Sequence, residues 1–292
     1  MKIELIDKNL TDFEKNEIEK LLARQDKTIE SDLEQMWYLM DLVWDDYQCD
    51  SSHLNWKNVG DFYSHPVWLL NGLFIEQHDV SMGHRHAISD WIISHGFSNV
   101  VDYGGGFGTL ARLMAEKSSI LKVDIYEPHP SGFGLKRASE LENISIVDNL
   151  DIAYDCLVST DVLEHVPDPI KNFSLMIDSV KVGGYLVIAN AFYPMIKCHL
   201  PQCFHFRHTF DLFASIMGLE IIGNLEGSHA TIYRKTKIVQ YDWIQLKRLD
   251  KLSKLLYTQH KESGPLNVRT KKRLAIEILK NILRPFKKLI FR

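Results

Sequence analysis

A glycine-rich turn between an apolar strand and a helix is the first place where residue types and spacing indicate chemistry. The stretch VVDYGGGFGTLARLMAEK covers residues 100–117, and three of its glycines alternate with other residues after an aspartate. Glycines at such a turn permit a tight bend and a close approach of the backbone to a ligand. The N–H groups at the start of the following helix favour polar or anionic groups. The stretch therefore predicts a site for a nucleotide-like ligand.

The spacing of these glycines fits two ligand classes. Residues 106–111 match the G-x-G-x-x-A pattern of dinucleotide-binding turns. Residues 102–108 match the D-x-G-x-G-x-G loop that holds S-adenosylmethionine in class I methyltransferases. Glu127, near the end of the next predicted strand, suits both classes, since a ribose diol pairs with a carboxylate in either case. The glycines and this glutamate alone leave both alternatives open.

Two later segments favour the second alternative. YDCLVSTDVLEHVPDP (154–169) and VKVGGYLVIANAF (180–192) follow the turn in order along the chain. With the turn they resemble class I S-adenosylmethionine-dependent methyltransferases, in which the fourth strand leads into a VLEHV helix and the fifth follows a K-x-GG turn. The resemblance covers residues 84–235 and implies S-adenosyl-L-methionine as the cofactor. A nicotinamide oxidoreductase and a catalytically inert interaction module with the same fold are the alternatives from other classes.

Strand–helix alternation from residue 99 onward predicts an α/β fold with a mostly parallel, Rossmann-like sheet. A closing antiparallel hairpin is expected from LEIIGN and ATIYRKT. Only about six residues separate the third and fourth predicted strands, whereas a parallel crossover normally needs a dozen or more. This connection leaves the position of the third strand, and of Asp148 after it, open. The preceding strands are expected near 99–103, 121–126, 144–148, 155–159 and 184–190.

Hydrophobic periodicity divides the chain into three parts. Residues 1–95 predict a helical N-terminal cap, and the T-D-F-E spacing at 11–14 has the form of a capping box. Residues 96–236 predict the methyltransferase core, and residues 237–292 predict a helical, basic C-terminal extension.

The resemblance implies a set of cofactor contacts at the carboxyl ends of the strands. The glycine loop is expected to face the methionine portion, with Glu127 on the ribose hydroxyls. Asp148 or its neighbour Asn149 is expected at the adenine amino group, and Arg85 at a carboxylate. The complete set of implied positions is Asp102, Gly104, Gly106, Gly108, Glu127, Asp148, Asn149, Thr160, Asp161 and Arg85.

Methyl transfer is an in-line displacement that depends on alignment, and a hydroxyl acceptor also needs a base. His205, in the segment NAFYPMIKCHLPQCFHFRHTF, is the preferred base, with His208 and His165 as further candidates. Five potential metal ligands lie within residues 198–208, but their spacing matches no zinc motif, so we expect no metal. The predicted reaction is O-methylation of a small-molecule or glycan hydroxyl, with N-methylation of a small amine as the alternative.

Charge is unevenly distributed along the 292 residues. Net charge is −4, but residues 265–292 contain nine Lys and Arg and one acid, so residues 1–264 carry −12. An acidic body excludes broad nucleic-acid binding, because phosphate contacts need clustered cations. The basic segment has apolar residues at helical spacing, which predicts either packing on the body or peripheral contact with an anionic membrane surface.

Composition predicts the compartment. The four cysteines show no disulfide framework, which is typical of a reducing environment. The first residues lack the apolar core of a secretory leader, and no apolar run approaches the roughly 18 residues of a spanning helix. We therefore expect a cytoplasmic protein, with the inner face of the membrane as the alternative site for the basic extension.

Overall fold

Helices fill the part of the chain before the sheet. The computed structural model describes residues 1–150 and 153–262. The first helix begins with the predicted capping box, in which Thr11 and Glu14 exchange side-chain-to-backbone hydrogen bonds. This end of the chain forms α1 (Asp12–Leu22), α2 (Asp32–Asp46), α3 (Trp56–Tyr63), α4 (Val67–Gln77) and α5 (Asp79–Ser94).

A seven-stranded sheet follows these helices. Its strand order is β3-β2-β1-β4-β5-β7-β6, and pairing is parallel except that β7 runs antiparallel to both β5 and β6. The predicted α/β class, with a Rossmann-like sheet and a closing antiparallel hairpin, is confirmed. The strands are β1 (Asn99–Tyr103), β2 (Lys122–Tyr126), β3 (Ile144–Val147), β4 (Tyr154–Thr160), β5 (Val180–Ala189), β6 (Leu219–Asn224) and β7 (Thr231–Lys235).

Apolar burial on both faces explains why the central strands pair in parallel. Val100 and Val101 of β1 are fully buried, and they align with Cys156 and Leu157 of β4, which are also fully buried. Parallel pairing brings the carboxyl ends of β1, β2 and β4 to one edge of the sheet. The connecting helices are α6 (Thr109–Lys117), α7 (Gly132–Ala138), α8 (Pro169–Ser179) and α9 (Phe210–Ile216).

The third strand lies where the sequence predicts it, at an outer edge of the sheet. Strand pairing places Val147 of β3 level with Tyr103 of β1. On the other side of β1, Val100 pairs with Cys156 of β4, and Tyr154 lies two residues before Cys156. Residues 148–153 separate β3 from β4, fewer than the dozen or more residues of a usual parallel crossover.

The cap packs directly on the glycine-rich turn. Phe107 of the turn belongs to the same buried cluster as the apolar residues of α1 to α4. Glu76 of α4 accepts hydrogen bonds from Thr109 Oγ1 at 2.9 Å and from Arg137 Nη1 at 2.8 Å. The Arg137 guanidinium also lies over the rings of Phe107 and Phe133. The cap therefore holds the turn through one buried ring and one charge-assisted contact.

Residues Met1–Tyr241 form one compact unit, and a second unit begins at Asp242. Within the second unit the structure describes α10 (Trp243–Glu262). The predicted three-part division, with boundaries at 95/96 and 236/237, stays a prediction. The basic segment 265–292, and the membrane contact predicted for it, lie outside the described residues. In the part of the chain that is described, every helix is too short or too polar to cross a membrane.

Substitution of Gly72 in α4 tests the contact between cap and turn. A Cβ at Gly72 would lie 1.5 Å from Phe107 Cε1, so Gly72→Ala must displace that ring. We expect a loss of roughly 1–3 kcal/mol in the free energy of unfolding, measured by urea denaturation. Gly60→Ala in α3 is the matched control, since its Cβ meets nothing within 4 Å. The control should gain up to about 1 kcal/mol from helix propensity. Equal effects of the two substitutions would contradict the packing argument.

Candidate functional site

The glycine turn is anchored to the edge of the sheet by its backbone. Gly104 N–H donates to the carbonyl of Tyr126 at 2.7 Å, which ties the turn to the end of β2. Gly104 has a φ of +73°, and a Cβ there would lie 2.4 Å from Val162 Cγ2. Gly108 has a φ of +86° and precedes the first turn of α6. These positions require glycine for both backbone conformation and space.

Asp102 forms the floor of the turn. Its side chain is 2% exposed, and Oδ2 has no hydrogen-bond partner in the described part of the chain. A Cβ on Gly105 would lie 2.8 Å from Oδ2, so the turn rests directly on this carboxylate. Burial raises the pKa of Asp102 to about 7, although the nearby positive charge of Arg85 opposes the rise. The site therefore contains a buried acceptor whose ionisation would be favoured by a bound cation.

Glu127 follows β2 and folds back against the turn. Its Oε2 accepts a hydrogen bond from Gly106 N–H at 3.0 Å, and its Oε1 accepts one from His129 N–H at 2.9 Å. These two backbone donors hold the carboxylate beside the glycines. The structure therefore brings together the glycine turn and the acidic residue that the sequence predicts as its partner.

A His–Asp pair lies at the end of β4. Asp161 has a φ of +55°, which is uncommon for a residue other than glycine. Its Oδ1 lies 3.2 Å from Nε2 of His229, which stands in the connection between β6 and β7. Desolvation would raise the pKa of Asp161, but the His229 hydrogen bond and the charge of Arg85 together lower it. The same hydrogen bond raises the pKa of His229.

Helix α5 supports this pair from the other side. His84 Nδ1 donates to the carbonyl of Gly227 at 3.0 Å, and the His84 and His229 rings meet edge to face at 5.3 Å. Arg85 on the same helix donates to the carbonyl of Ser81 at 3.1 Å. Because α5 holds both the hairpin connection and Arg85, it fixes the positive charge beside the pair.

A second polar cluster follows in the 3₁₀ turn Leu163–His165. Glu164 and His165 of this turn meet His199, which lies after β5, with one ligand atom of each within 4.8 Å of the others. Burial and the negative charge of Asp161 raise the pKa of Glu164 to about 8. Burial and the neighbouring His199 lower the pKa of His165 to about 3. Burial also lowers the pKa of His199, so both imidazoles are neutral at pH 7.

Aromatic rings of the cap cover this cluster. Tyr63 of α3 stacks on Trp68 of α4 at 5.1 Å, and both rings meet His165 edge to face at 6.3 and 6.0 Å. Tyr63 also stacks on the ring of His129 at 6.0 Å. The cap therefore contributes the apolar wall that faces the polar groups after β2 and β4.

The structure separates the remaining predicted residues. Thr160 ends β4 half-buried, whereas Asp148 and Asn149 are exposed after β3. His205 is buried in the 3₁₀ helix Pro201–His208, with its ring 3.9 Å from that of Phe206, and His208 is exposed. The catalytic roles of His205, His208 and His165 stay predictions. The structure brings His165 together with a second histidine and a carboxylate.

Sequence reasoning did not find His229. It lies 68 residues from Asp161, in a turn-rich connection with no chemical motif around it. Its residue type was the one available signal, since a histidine in the connection of the closing hairpin lies at the edge of the sheet. Asp161, which the sequence predicts among the cofactor contacts, bonds to His229 through its side chain, and its contact with a cofactor stays a prediction.

Comparisons with known proteins agree with this geometry. Residues 75–213 match the family described as "Methyltransferase domain". That range includes α5, the glycine turn, Asp102 in β1, Glu127 after β2, and the cluster after β4. Comparison with curated proteins gives no match.

Solved structures with a related fold include several methyltransferases. A putative sarcosine dimethylglycine methyltransferase from Galdieria sulphuraria is 21% identical over 35% of this chain and 44% of its own, with a TM-score of 0.31. The mitomycin 7-O-methyltransferase MmcR is 14% identical over 56% and 57% of the two chains, with a TM-score of 0.43. A putative S-adenosyl-L-methionine-dependent methyltransferase from Methanococcus maripaludis is 18% identical over 56% and 90%, with a TM-score of 0.40. The chain spans about half the length of the first two of these structures.

The buried carboxylate of Asp102 predicts a pH-dependent stability. Its pKa rises from 3.8 to about 7 on folding, so the unfolded chain ionises first and wild-type stability falls as pH rises through this window. Asp102→Asn removes this cost. We expect the variant to gain stability over wild type between pH 4 and pH 7, by up to roughly 4 kcal/mol, with a constant gain above pH 7.

Urea denaturation at pH 5 and pH 8 measures this difference. Asp148→Asn, at an exposed position, is the control and should change stability little at either pH. A gain in Asp102→Asn that is the same at both pH values would show that the buried charge is not its cause.

Proposed function

We propose that this protein is an S-adenosylmethionine-dependent methyltransferase that methylates a hydroxyl oxygen of a small-molecule or glycan acceptor. The match of residues 75–213 to the family described as "Methyltransferase domain" supports the first part of this proposal. The observation that carries the proposal is the hydrogen bond between His229 and Asp161 at the end of β4. A hydroxyl must lose its proton as its oxygen is methylated, and a histidine oriented by a carboxylate is suited to accept it.

The residues of the glycine turn fit the cofactor. Gly106 has a φ of +56°, and a Cβ there would meet nothing within 4 Å, so its backbone borders open space. Asp102 Oδ2, which lacks a hydrogen-bond partner among the described residues, lies below this turn and suits the cofactor's ammonium group. Glu127 stands beside the turn as an acceptor for ribose hydroxyls. Arg85 lies near Asp102 and Asp161 and suits the cofactor's carboxylate.

The His–Asp pair defines where the acceptor proton goes. A carboxylate only accepts hydrogen bonds, so Asp161 holds the proton of neutral His229 on Nε2 and leaves the lone pair on Nδ1. When bound, S-adenosylmethionine supplies an electrophilic methyl group whose loss leaves S-adenosylhomocysteine. His229 Nδ1 takes the hydroxyl proton as the acceptor oxygen forms its bond to that methyl group. Asp161 stabilises the imidazolium that results.

The cap supplies a surface for the acceptor. Tyr63 and Trp68 present stacked rings beside His165. Phenolic and sugar rings both pack well on aromatic faces. These rings also restrict water near the reacting oxygen, which favours transfer to the acceptor.

Cofactor binding is tested by Gly106→Arg. The long side chain would occupy the open space beside the turn, so we expect loss of S-adenosylhomocysteine binding in isothermal titration calorimetry. Gly183→Arg is the matched control, since Gly183 also has a positive φ, of +89°, and open space at its Cβ. It lies in the first half of β5, toward the edge opposite the strand carboxyl ends, and should leave affinity unchanged. Unchanged affinity in Gly106→Arg would contradict the placement of the cofactor.

The reaction is tested by the formation of S-adenosylhomocysteine with a panel of phenols, monosaccharides and primary amines. Turnover with a hydroxyl acceptor supports the proposal. Turnover with amines alone would identify N-methylation and overturn it.

The pH dependence of turnover tests the assigned base. His229 accepts a proton only when neutral, and its pKa is raised above 6.5 by Asp161, so kcat/KM should fall as pH drops through a value above 6.5. The charged and titratable groups that face His229 are Asp161, and Arg85 and His84 on α5. His229→Gln should lower kcat by roughly 10²- to 10⁴-fold and abolish this pH limb.

Asp161→Asn tests the effect of the carboxylate on His229 separately from proton transfer to His229 itself. It removes the interaction that raises the pKa of His229, so the midpoint of the pH profile should move to lower pH. His53→Gln, an exposed histidine bonded to Asp50, is the control and should leave the profile unchanged. An unaltered pH limb in His229→Gln would exclude His229 as the base.

A further inference from the structure

Three potential metal ligands converge beside the proposed acceptor site without an explained function. The 3₁₀ turn after β4 carries Glu164 and His165, and the segment after β5 returns His199 to them. One ligand atom of each residue lies within 4.8 Å of the other two. Donor atoms around a tetrahedral zinc ion sit about 3.3 Å apart, so small side-chain rotations would bring these three into contact with one ion.

Both histidines are oriented by backbone carbonyls. His165 Nδ1 lies 3.2 Å from the carbonyl of Cys198, and His199 Nδ1 lies 2.7 Å from the carbonyl of Tyr193. A carbonyl only accepts hydrogen bonds, so each neutral ring carries its proton on Nδ1 and its lone pair on Nε2. Metal-binding histidines usually donate their second nitrogen to such an acceptor, which fixes the tautomer and the direction of the lone pair.

Glu164 supplies an unsatisfied negative group at the same place. The side chain is 0% exposed; its Oε1 accepts from Ala191 N–H at 2.7 Å, and Oε2 has no hydrogen-bond partner among residues 1–150 and 153–262. A buried carboxylate without compensation is costly, and the charge of Asp161 nearby adds to the cost. A protonated Glu164 could donate its O–H to one imidazole lone pair, but the second lone pair would then still lack a donor. A cation would satisfy all three groups together.

We propose that Glu164, His165 and His199 form a binding site for one divalent transition-metal ion. Two imidazole nitrogens and one carboxylate oxygen suit ions such as Zn²⁺, Fe²⁺ or Co²⁺ better than Mg²⁺ or Ca²⁺, which prefer oxygen ligands. Three protein ligands leave at least one coordination position for another group, as in catalytic rather than structural sites.

The position of the ion gives it a role that rests on the proposed function. Asp161 lies close enough to influence the pKa of Glu164 and of His165, so the ion and the His229–Asp161 pair would share one acceptor site. An acceptor hydroxyl bound to the ion would ionise more easily, and its proton would pass to His229 Nδ1. The ion is neither oxidised nor reduced in this step.

Metal binding is measured without cofactor or acceptor. Protein treated with EDTA and freed of chelator is titrated with Zn²⁺, and we expect one ion per chain and a higher thermal midpoint. With Co²⁺, the absorption spectrum should show nitrogen and oxygen ligation without a thiolate-to-metal band. The spectrum distinguishes this site from one that uses the nearby thiols of Cys198 and Cys203. The readouts on wild-type protein need no variant to fold.

Variants assign the ligands. Glu164→Gln keeps the carbonyl that accepts from Ala191, and His199→Gln retains a polar side chain, so both should fold, as checked by circular dichroism. Each should weaken Zn²⁺ binding by more than about 100-fold, beyond the effect of losing an outer-shell partner. His53→Gln, at an exposed histidine, is the control and should bind as wild type.

The outcomes separate this inference from the proposed function. Absence of Zn²⁺ and Co²⁺ binding to wild type, a thiolate spectrum, or binding that persists in the Glu164→Gln/His199→Gln double variant would overturn the metal site. Full methyl transfer by the metal-free protein would overturn the role of the ion and leave methyl transfer standing. Metal binding without turnover on any hydroxyl would leave the site and overturn the proposed function.

Discussion

Parallel pairing of β1, β2 and β4 places three carboxylates at one edge of the sheet, and most features of the site offset the resulting concentration of negative charge. Asp102, Glu127 and Asp161 each end a neighbouring strand or follow it directly. The protein satisfies Glu127 with two backbone N–H groups and Asp161 with His229. One oxygen of Asp102 has no hydrogen-bond partner among the residues that the structure describes. A cofactor with a positive charge and hydroxyl groups would bind to the carboxylate oxygens that can still accept hydrogen bonds.

The N-terminal helices pack against this edge of the sheet. Phe107 joins the apolar core of the cap, and Glu76 binds both the first residue of α6 and Arg137 of α7. Helix α5 brings Arg85 to the carboxylates and holds the connection that carries His229. Close packing and charge pairing therefore depend on the same helices, and a shift of the cap would change the electrostatics of the site as well as its walls.

Two groups of titratable residues lie after β4, and they differ in whether their charges are balanced within the group. The His229–Asp161 pair is internally balanced, since each partner favours the charged form of the other. Within the described residues, the cluster of Glu164, His165 and His199 has acceptors but no positively charged partner, and burial holds all three groups toward their neutral forms. A balanced pair suits reversible proton transfer, whereas an unbalanced cluster of lone pairs suits a cation. The division of roles follows from charge, not from residue type.

The sequence by itself determined the sheet, its closing hairpin, the glycine turn and the pairing of that turn with Glu127. These features depend on local periodicity and on a spacing of about one helix and one strand, which a linear pattern records. The tertiary structure alone decided that Asp161 meets His229 and that Glu164 and His165 meet His199. These partners lie 34 to 68 residues apart, and their contact depends on how the hairpin and the segment after β5 return to the edge of the sheet. Residue type shows that a histidine can accept a proton or bind a metal, but only its neighbours in space determine which lone pair is left and what charge faces it.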